Sequence, residues 1–250
     1  DRDGIQLHSV QTVRILNNEI AQIADDGIAC HVGRGFIPSP QRSILIKGNK
    51  LSRCTGIKCL GASNAVIQNN TASFIYGYAV YLGVDQNFGE GFAAERNIDV
   101  SDNHFSDVLS LSEIGAGRGV AAIFLAGGSP GLKANDGSRI VHENITVKRN
   151  VIRQTLQPQR RELGLWWVGG AFQKVLRTDI VERGGENVRG VMFRGGALDS
   201  ITVEGNTISG FSEPILFEKN ETTIKSKIDR NIIIHCTRPI GCPANIKIFP

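Results

Sequence analysis

Two short segments of the chain carry the residue types of acid/base chemistry at matched positions. Asp1-Arg2-Asp3-Gly4-Ile5-Gln6-Leu7-His8 aligns with Ala24-Asp25-Asp26-Gly27-Ile28-Ala29-Cys30-His31, so that Asp3 falls on Asp26 and His8 on His31, an offset of 23 residues. If that offset is one turn of a stacked structure, the two aspartates stand on neighbouring strands roughly 4.8 Å apart. With Asp25 they bring three carboxyls to one turn, where like charges cannot all ionise cheaply and one pKa must rise. Cleavage of a glycosidic bond needs this combination: one carboxyl protonates the leaving oxygen and a carboxylate activates water or attacks carbon. Two other uses suit the same residues. Asp-Gly is a common turn dipeptide, and clustered carboxylates can hold Ca²⁺; no other cofactor is implied. The next column outward holds Gln6, Ala29 and Lys58, and the segment ends carry His8 and His31. Gln6, His8, His31 and Lys58 are therefore candidates to bind a ligand in an open polar groove beside Asp3, Asp25 and Asp26.

Such a groove requires strands stacked in register, and a repeat in the sequence supplies them. The pattern apolar, any, apolar, any, any, Asn, any, apolar occurs at Val13, Ile15, Asn18, Ile20 and at Ile44, Ile46, Asn49, Leu51. It returns at Ile67, Asn70; at Ile98, Val100, Asn103, Phe105; at Ile145, Val147, Asn150, Ile152; and at Ile201, Val203, Asn206, Ile208. Alternation with period two makes each copy a strand with one buried face. The Asn marks a turn, because Asn tolerates a left-handed backbone and bonds locally, and stacked turns place the amides in a ladder. Second apolar bursts follow at Gly27–Cys30, Gly56–Cys59, Tyr78–Tyr81, Leu165–Val168 and Pro214–Phe217, so each coil carries several strands. One such coil cannot bury its apolar face alone, and neighbours must stack on it. The fold read from these features is an all-β, single-stranded right-handed parallel β-helix with loop insertions, spanning residues 1–250 as one domain.

No 3.6-residue periodicity with caps competes with this reading, and 29 glycines suit a turn-rich chain. The chain opens on what reads as the last part of a coil, which predicts a fragment of a longer protein whose first coil is covered by preceding residues or by a partner, as in a homotrimer. No apolar run reaches the length of a membrane span. The net charge is +4, and residues 153–194 hold seven Arg and one Lys against four acids. That insertion either faces an acidic polymer or is solvated by its own ion pairs. Nucleic acid is excluded as a partner, because aromatics are sparse and no basic stripe runs along the chain. Insertions after Tyr81, Phe105 and Ile152 are placed to line a cleft, and Trp166 in the last of them is the candidate to stack on a sugar ring. Cys30 and Cys59 fall on one inward column as small core residues, and Cys236 and Cys242 flank a Pro/Gly turn that a disulfide would close.

Through the Asn repeat the chain resembles the pectin-lyase-like superfamily of right-handed β-helices over its full length. Its first thirty residues are similar to polygalacturonases: Asp3-Gly4 and Asp25-Asp26-Gly27-Ile28-Ala29 look like their Asn-Thr-Asp-Gly and Asp-Asp-Cys-Ile-Ala segments. The resemblance implies that Asp26 is the acid and that Asp3 and Asp25 hold water. The family's following His-Gly corresponds to Thr55-Gly56 and its Arg-Ile-Lys to Ala79-Val80-Tyr81, so the residues that would recognise a substrate carboxylate are replaced. Three functions follow as expectations. The first is hydrolysis of an extracellular or bacterial-surface polysaccharide; the second is a glycan-binding or structural segment of a spike or adhesin, like phage tailspikes; the third is a lyase or uronate epimerase. All three place the protein outside the cell, on its surface or on a virion.

Overall fold

The computed structural model describes residues 3–23, 25–32, 41–84, 92–109, 121–129, 131–134, 136–154, 162–168, 171–176, 189–218, 221–222 and 225–249. For residues 41, 76, 109, 162–168, 171–176 and 221–222 the backbone alone is described. The strands follow one another coil by coil. The first coil holds β1 (Ile5–His8), β2 (Val13–Leu16) and β3 (Glu19–Ala21); the second β4 (Asp26–His31), β5 (Gln41–Lys47) and β6 (Lys50–Ser52). The third holds β7 (Thr55–Leu60), β8 (Ala62–Gln68) and β9 (Thr71–Tyr76); the fourth β10 (Val80–Gly83), β11 (Arg96–Ser101) and β12 (His104–Leu109); the fifth β13 (Ala121–Gly128), β14 (Val141–Lys148) and β15 (Val151–Arg153). A hairpin of β16 (Glu162–Val168) and β17 (Ala171–Leu176) intervenes before β18 (Arg189–Gly195), β19 (Ala197–Glu204) and β20 (Thr207–Ser209). The chain ends with β21 (Glu213–Glu218), β22 (Glu221–Thr222), β23 (Lys227–Asp229), β24 (Ile232–Ile234) and β25 (Lys247–Ile248).

Strands in the same position of successive coils pair with one another, which makes three parallel sheets. The first runs β1-β4-β7-β10-β13-β18-β21, the second β2-β5-β8-β11-β14-β19-β23-β25, and the third β3-β6-β9-β12-β15-β20-β24. Right-handed crossover is what such consecutive parallel connections favour. The alternation read from sequence is the inward column: Val13, Ile44 and Ala65 stand in register, as do Ile15, Ile46, Ile67, Val100, Val147 and Val203. Those side chains, with Phe105, Phe193 and the rest, form one continuous buried core along the axis. Cys30 and Cys59 sit in it on adjacent rungs, as expected.

The amide ladder forms, with one difference from the expectation. Each Asn hydrogen-bonds the next across coils, from Asn18 through Asn49, Asn70, Asn103, Asn150 and Asn206 to Asn231. The left-handed residue, however, is the one before it: Asn17, Gly48, Asn69, Asp102, Arg149, Gly205 and Arg230 have φ between 48° and 70°. That preceding residue makes the corner, and the ladder Asn, whose backbone stays in the ordinary region, turns its amide inward.

Two other expectations need correcting. Leu165–Val168 is not a rung of the helix, because β16 pairs antiparallel with β17 and with none of the three sheets. The insertion is long enough to close a hairpin of its own, and its apolar alternation reflects that local pairing. Cys236 and Cys242 do not close a disulfide; all five cysteines are free thiols. Between them the chain makes a further rung instead, with Gly241 bonded to Ile215 and Phe217 of β21.

Candidate functional site

The first sheet begins, on successive coils, at the positions of the predicted acids. Asp3 precedes β1 and Asp26 opens β4, whose register is Ile5 to Ile28, Gln6 to Ala29, Leu7 to Cys30 and His8 to His31, as the sequence alignment requires. Gly4 N–H donates to the Asp26 carbonyl at 2.9 Å, and Asp26 N–H donates to Asp3 Oδ1 at 3.2 Å. Gly4 and Gly27 are needed for this approach, since a Cβ at Gly4 would lie 2.6 Å from the Gly27 carbonyl oxygen. The next coils bring Thr55 and Lys58 of β7, where Thr55 pairs with Asp26 and Lys58 with Ala29. Tyr78 lies one coil further on, just before β10.

These residues converge on the Asp26 carboxylate, which is 2 % exposed. Its Oδ1 accepts two short hydrogen bonds, each 2.6 Å, from the Thr55 and Tyr78 hydroxyls. Its Oδ2 lies 3.5 Å from the Lys58 ammonium. Lys58 is itself buried and stands 5.7 Å over the Tyr81 ring, which stacks on Phe124 at 5.3 Å and 8°. Burial of Asp3, and then the neighbouring Asp26 charge, push the Asp3 carboxyl above its usual range, while the N–H from Asp26, His31 and Lys58 pull it back. The Tyr78 hydroxyl is pushed well up by burial and by the Asp26 charge, so it remains a donor. The rise expected for one member of a carboxyl cluster therefore falls on Asp3. Asp25 approaches the group from the side of Tyr78 and gives its carbonyl to Thr55 N–H at 3.0 Å.

Asp3, Asp26 and His31 offer ligand atoms within 4.8 Å of one another, the only such group of three among the described residues. Calcium prefers six to eight oxygens. A His nitrogen, two carboxylates and an ammonium at 3.5 Å from Asp26 are a poor match to that demand. Gln6 and His8 are exposed at the edge of the sheet, whereas His31 and Lys58 are buried. The two imidazoles stack with centroids 5.3 Å apart. Trp166 lies on β16, where the side chains fall outside the described residues. The insertions after Tyr81, Phe105 and Ile152 do not share one corner. The first joins the first sheet to the second, and the other two join the third sheet to the first, on the side where Asp3 and Asp26 stand.

Sequence reasoning missed Thr55 and Tyr78 as partners of Asp26. The available signal was the coil register: Thr55 aligns with Asp26 in the same pattern that aligned Asp26 with Asp3. Tyr78 carried the same signal, since Val80 pairs with Ile57 and Tyr78 therefore falls on Thr55, in the column of Asp3 and Asp26; its long side chain then reaches past Thr55 to Asp26.

No curated protein and no solved structure matches the chain. Residues 1–157, more than half of it, match the family described as right handed beta helix region. With three stacked parallel sheets, a continuous inward core and that match, the chain belongs to the right-handed β-helix family.

Proposed function

We propose that this β-helix cleaves glycosidic bonds of an extracellular or bacterial-surface polysaccharide with Asp3 and Asp26 as its acid/base pair. One observation carries the reading: two carboxyls on adjacent rungs, one raised and partly exposed, the other buried among two hydroxyls and an ammonium. Environments that push two carboxyls apart are how one site keeps an acid and a base at the same pH. Asp3 gives its proton to the glycosidic oxygen as the C–O bond breaks and the bonding pair moves onto that oxygen. A water oxygen bonds to the anomeric carbon, and the water's proton goes to Asp26 Oδ2, the oxygen to which neither hydroxyl donates. Return of that proton to Asp3 resets the pair. Gln6 and His8, exposed one and two pleats along β1, are available to a sugar lying over the sheet edge.

A second reading has its own support. Asp26 is almost fully buried, with both oxygens engaged, which suits a structural carboxylate in a glycan-binding or spike segment. The two are separated by incubating the protein with acidic and neutral polysaccharides and reading new reducing ends and unsaturated ends in parallel. Saturated reducing ends lost in Asp3→Asn and Asp26→Asn support hydrolysis. Unsaturated ends would make the protein a lyase, and binding without products would favour the second reading.

A further inference from the structure

We propose that Thr55, Tyr78 and Lys58 are positioning residues that hold Asp26 as the anion of the pair, leaving Asp3 to carry the transferable proton. The catalytic part of this statement rests on the hydrolase reading, whereas the division of charge stands without it. Thr55 comes from the third coil and Tyr78 from the turn before the fourth, so coils that do not contain the acids set their protonation. Two hydroxyls that both donate to one oxygen leave it no room for a proton of its own. The 2.6 Å distances at Asp26 Oδ1 lie in the short range of O–H···O⁻ bonds to an ionised acceptor. Lys58 pairs with the other oxygen at 3.5 Å, which favours the anion at rest while leaving that oxygen to take the water's proton in turnover, and its position over Tyr81 keeps the ammonium on that side. Asp3 has a weaker hold: one N–H at 3.2 Å, from Asp26 itself. When the two carboxyls share a proton, it therefore rests on Asp3, the partly exposed member that a substrate can reach.

The resemblance to polygalacturonases assigns the acid to Asp26, and this geometry reverses the assignment. Where those enzymes have His-Gly and Arg-Ile-Lys, this chain has Thr55-Gly56 and Ala79-Val80-Tyr81, and the hydroxyl of Thr55 lies on the carboxylate oxygen. The other titratable groups around the pair are His31, which acts on Asp3, Asp25, which acts on Tyr78, and the Cys54 thiol, which feels the Asp26 charge.

The test is a carboxyl titration by NMR on the full chain with ¹³C-labelled aspartate, Asp3 being assigned by its loss in Asp3→Asn. In the wild type the Asp3 midpoint lies above the ordinary carboxylate range. Thr55→Val with Tyr78→Phe removes both hydroxyls and moves that midpoint down, because the proton then spends more time on Asp26. Thr55→Ser, which keeps a hydroxyl, restores it. If the double variant does not fold, as judged by its amide spectrum, Thr55→Val against Thr55→Ser gives the same comparison. An Asp3 midpoint at the ordinary value, or one unmoved in a folded Thr55→Val variant, overturns the proposal. A protein with the expected shifts but no product from any polysaccharide keeps the division of charge and loses the hydrolase reading. Cleavage with an unmoved Asp3 midpoint does the reverse.

Discussion

Replacing Asn150 by Ala tests how much of the fold depends on the amide ladder. Asn150 is fully buried. Its Oδ1 accepts from Asn103 N–H at 3.0 Å and Asn103 Nδ2 at 2.9 Å, and its Nδ2 donates to the Val100 carbonyl at 2.9 Å and to Asn206 Oδ1 at 3.0 Å. Truncation removes all four bonds and leaves two buried donors of Asn103 unmet, its backbone N–H and one side-chain hydrogen; the other still reaches the Ile67 carbonyl at 2.9 Å. A stranded buried donor costs about 1–3 kcal/mol, so two cost about 2–6, and a central expectation is about 4 kcal/mol. That is a large part of the roughly 5–15 kcal/mol by which a domain is stable. The control is Asn97→Gly, from an exposed amide row on the outside of the second sheet, where Asn97 bonds Asn64 and Asn144 at 3.0 Å each. Its φ of 55° suits Gly, and water replaces the lost amide, so the expected loss is below about 1 kcal/mol. Urea unfolding followed by circular dichroism, with m-values checked for change, reads both. A loss below about 1 kcal/mol for Asn150→Ala, or one no larger than for Asn97→Gly, would refute the ladder's energetic role.

Buried Glu95 and His142 give the stability a worked dependence on pH. Burial pushes Glu95 up to about 8 against the N–H donors of Ala62, Gly83 and Gly61, and pushes His142 down to about 4. A raised carboxyl stabilises fully below its unfolded value of 4.5 and loses that contribution as pH rises to about 8; a lowered imidazole loses its contribution as pH falls from 6.5 to about 4. The slopes oppose each other between 4.5 and 6.5, and above 6.5 Glu95 acts alone. The combined contribution of the two groups should therefore be flat in the first window and fall by about 1.4 kcal/mol per pH unit from 6.5 to 8, a fall that Glu95→Gln removes in urea titrations. Gly56→Ala should destabilise by about 1–3 kcal/mol in the same assay, since its Cβ would lie 2.1 Å from the Ala79 carbonyl oxygen and backbone must move. Arg149→Gln, which breaks an exposed bidentate pair with Asp102 at 2.7 and 2.8 Å, should leave the urea midpoint nearly unchanged; a clear drop would mean that the surface pair acts in a network.

The inward columns were legible because a sheet face is a period-two rule and coil stacking repeats it. Ile15, Ile46 and Ile67 satisfy both at once. The register of Asp3 on Asp26 and of His8 on His31 was legible for the same reason. What escaped the pattern was set by reach or by local pairing. Tyr78 stands in the column of Asp3, Asp26 and Thr55, but its hydroxyl finds Asp26 only because the side chain is long enough to span two coils, which register alone does not state. The Leu165–Val168 alternation looks like a rung yet pairs with β17, because period two identifies a strand and says nothing of its partner. The position of the left-handed residue was off by one, since Asn is favoured both for such turns and for inward amide bonding, and only backbone geometry separates the two uses. The division of charge between Asp3 and Asp26 depends on hydroxyls one and two coils away from Asp26, which no local motif encodes.

The corner between the second and third sheets is built alike in each coil: two residues, a left-handed one and then the ladder Asn, as in Asn17-Asn18 and Gly48-Asn49. The other two corners take up all the variation, so that successive ladder residues lie 21 to 56 positions apart in sequence. The solenoid therefore resets its phase once per coil. An insertion or deletion at a free corner alters only the loop it enters, because the next Asn returns the chain to the same angular position before another rung is laid down. Such a frame can accept grafted segments at two corners without a frameshift in the stacking above them, and a change of one residue at the sealed corner would be felt along the remaining length.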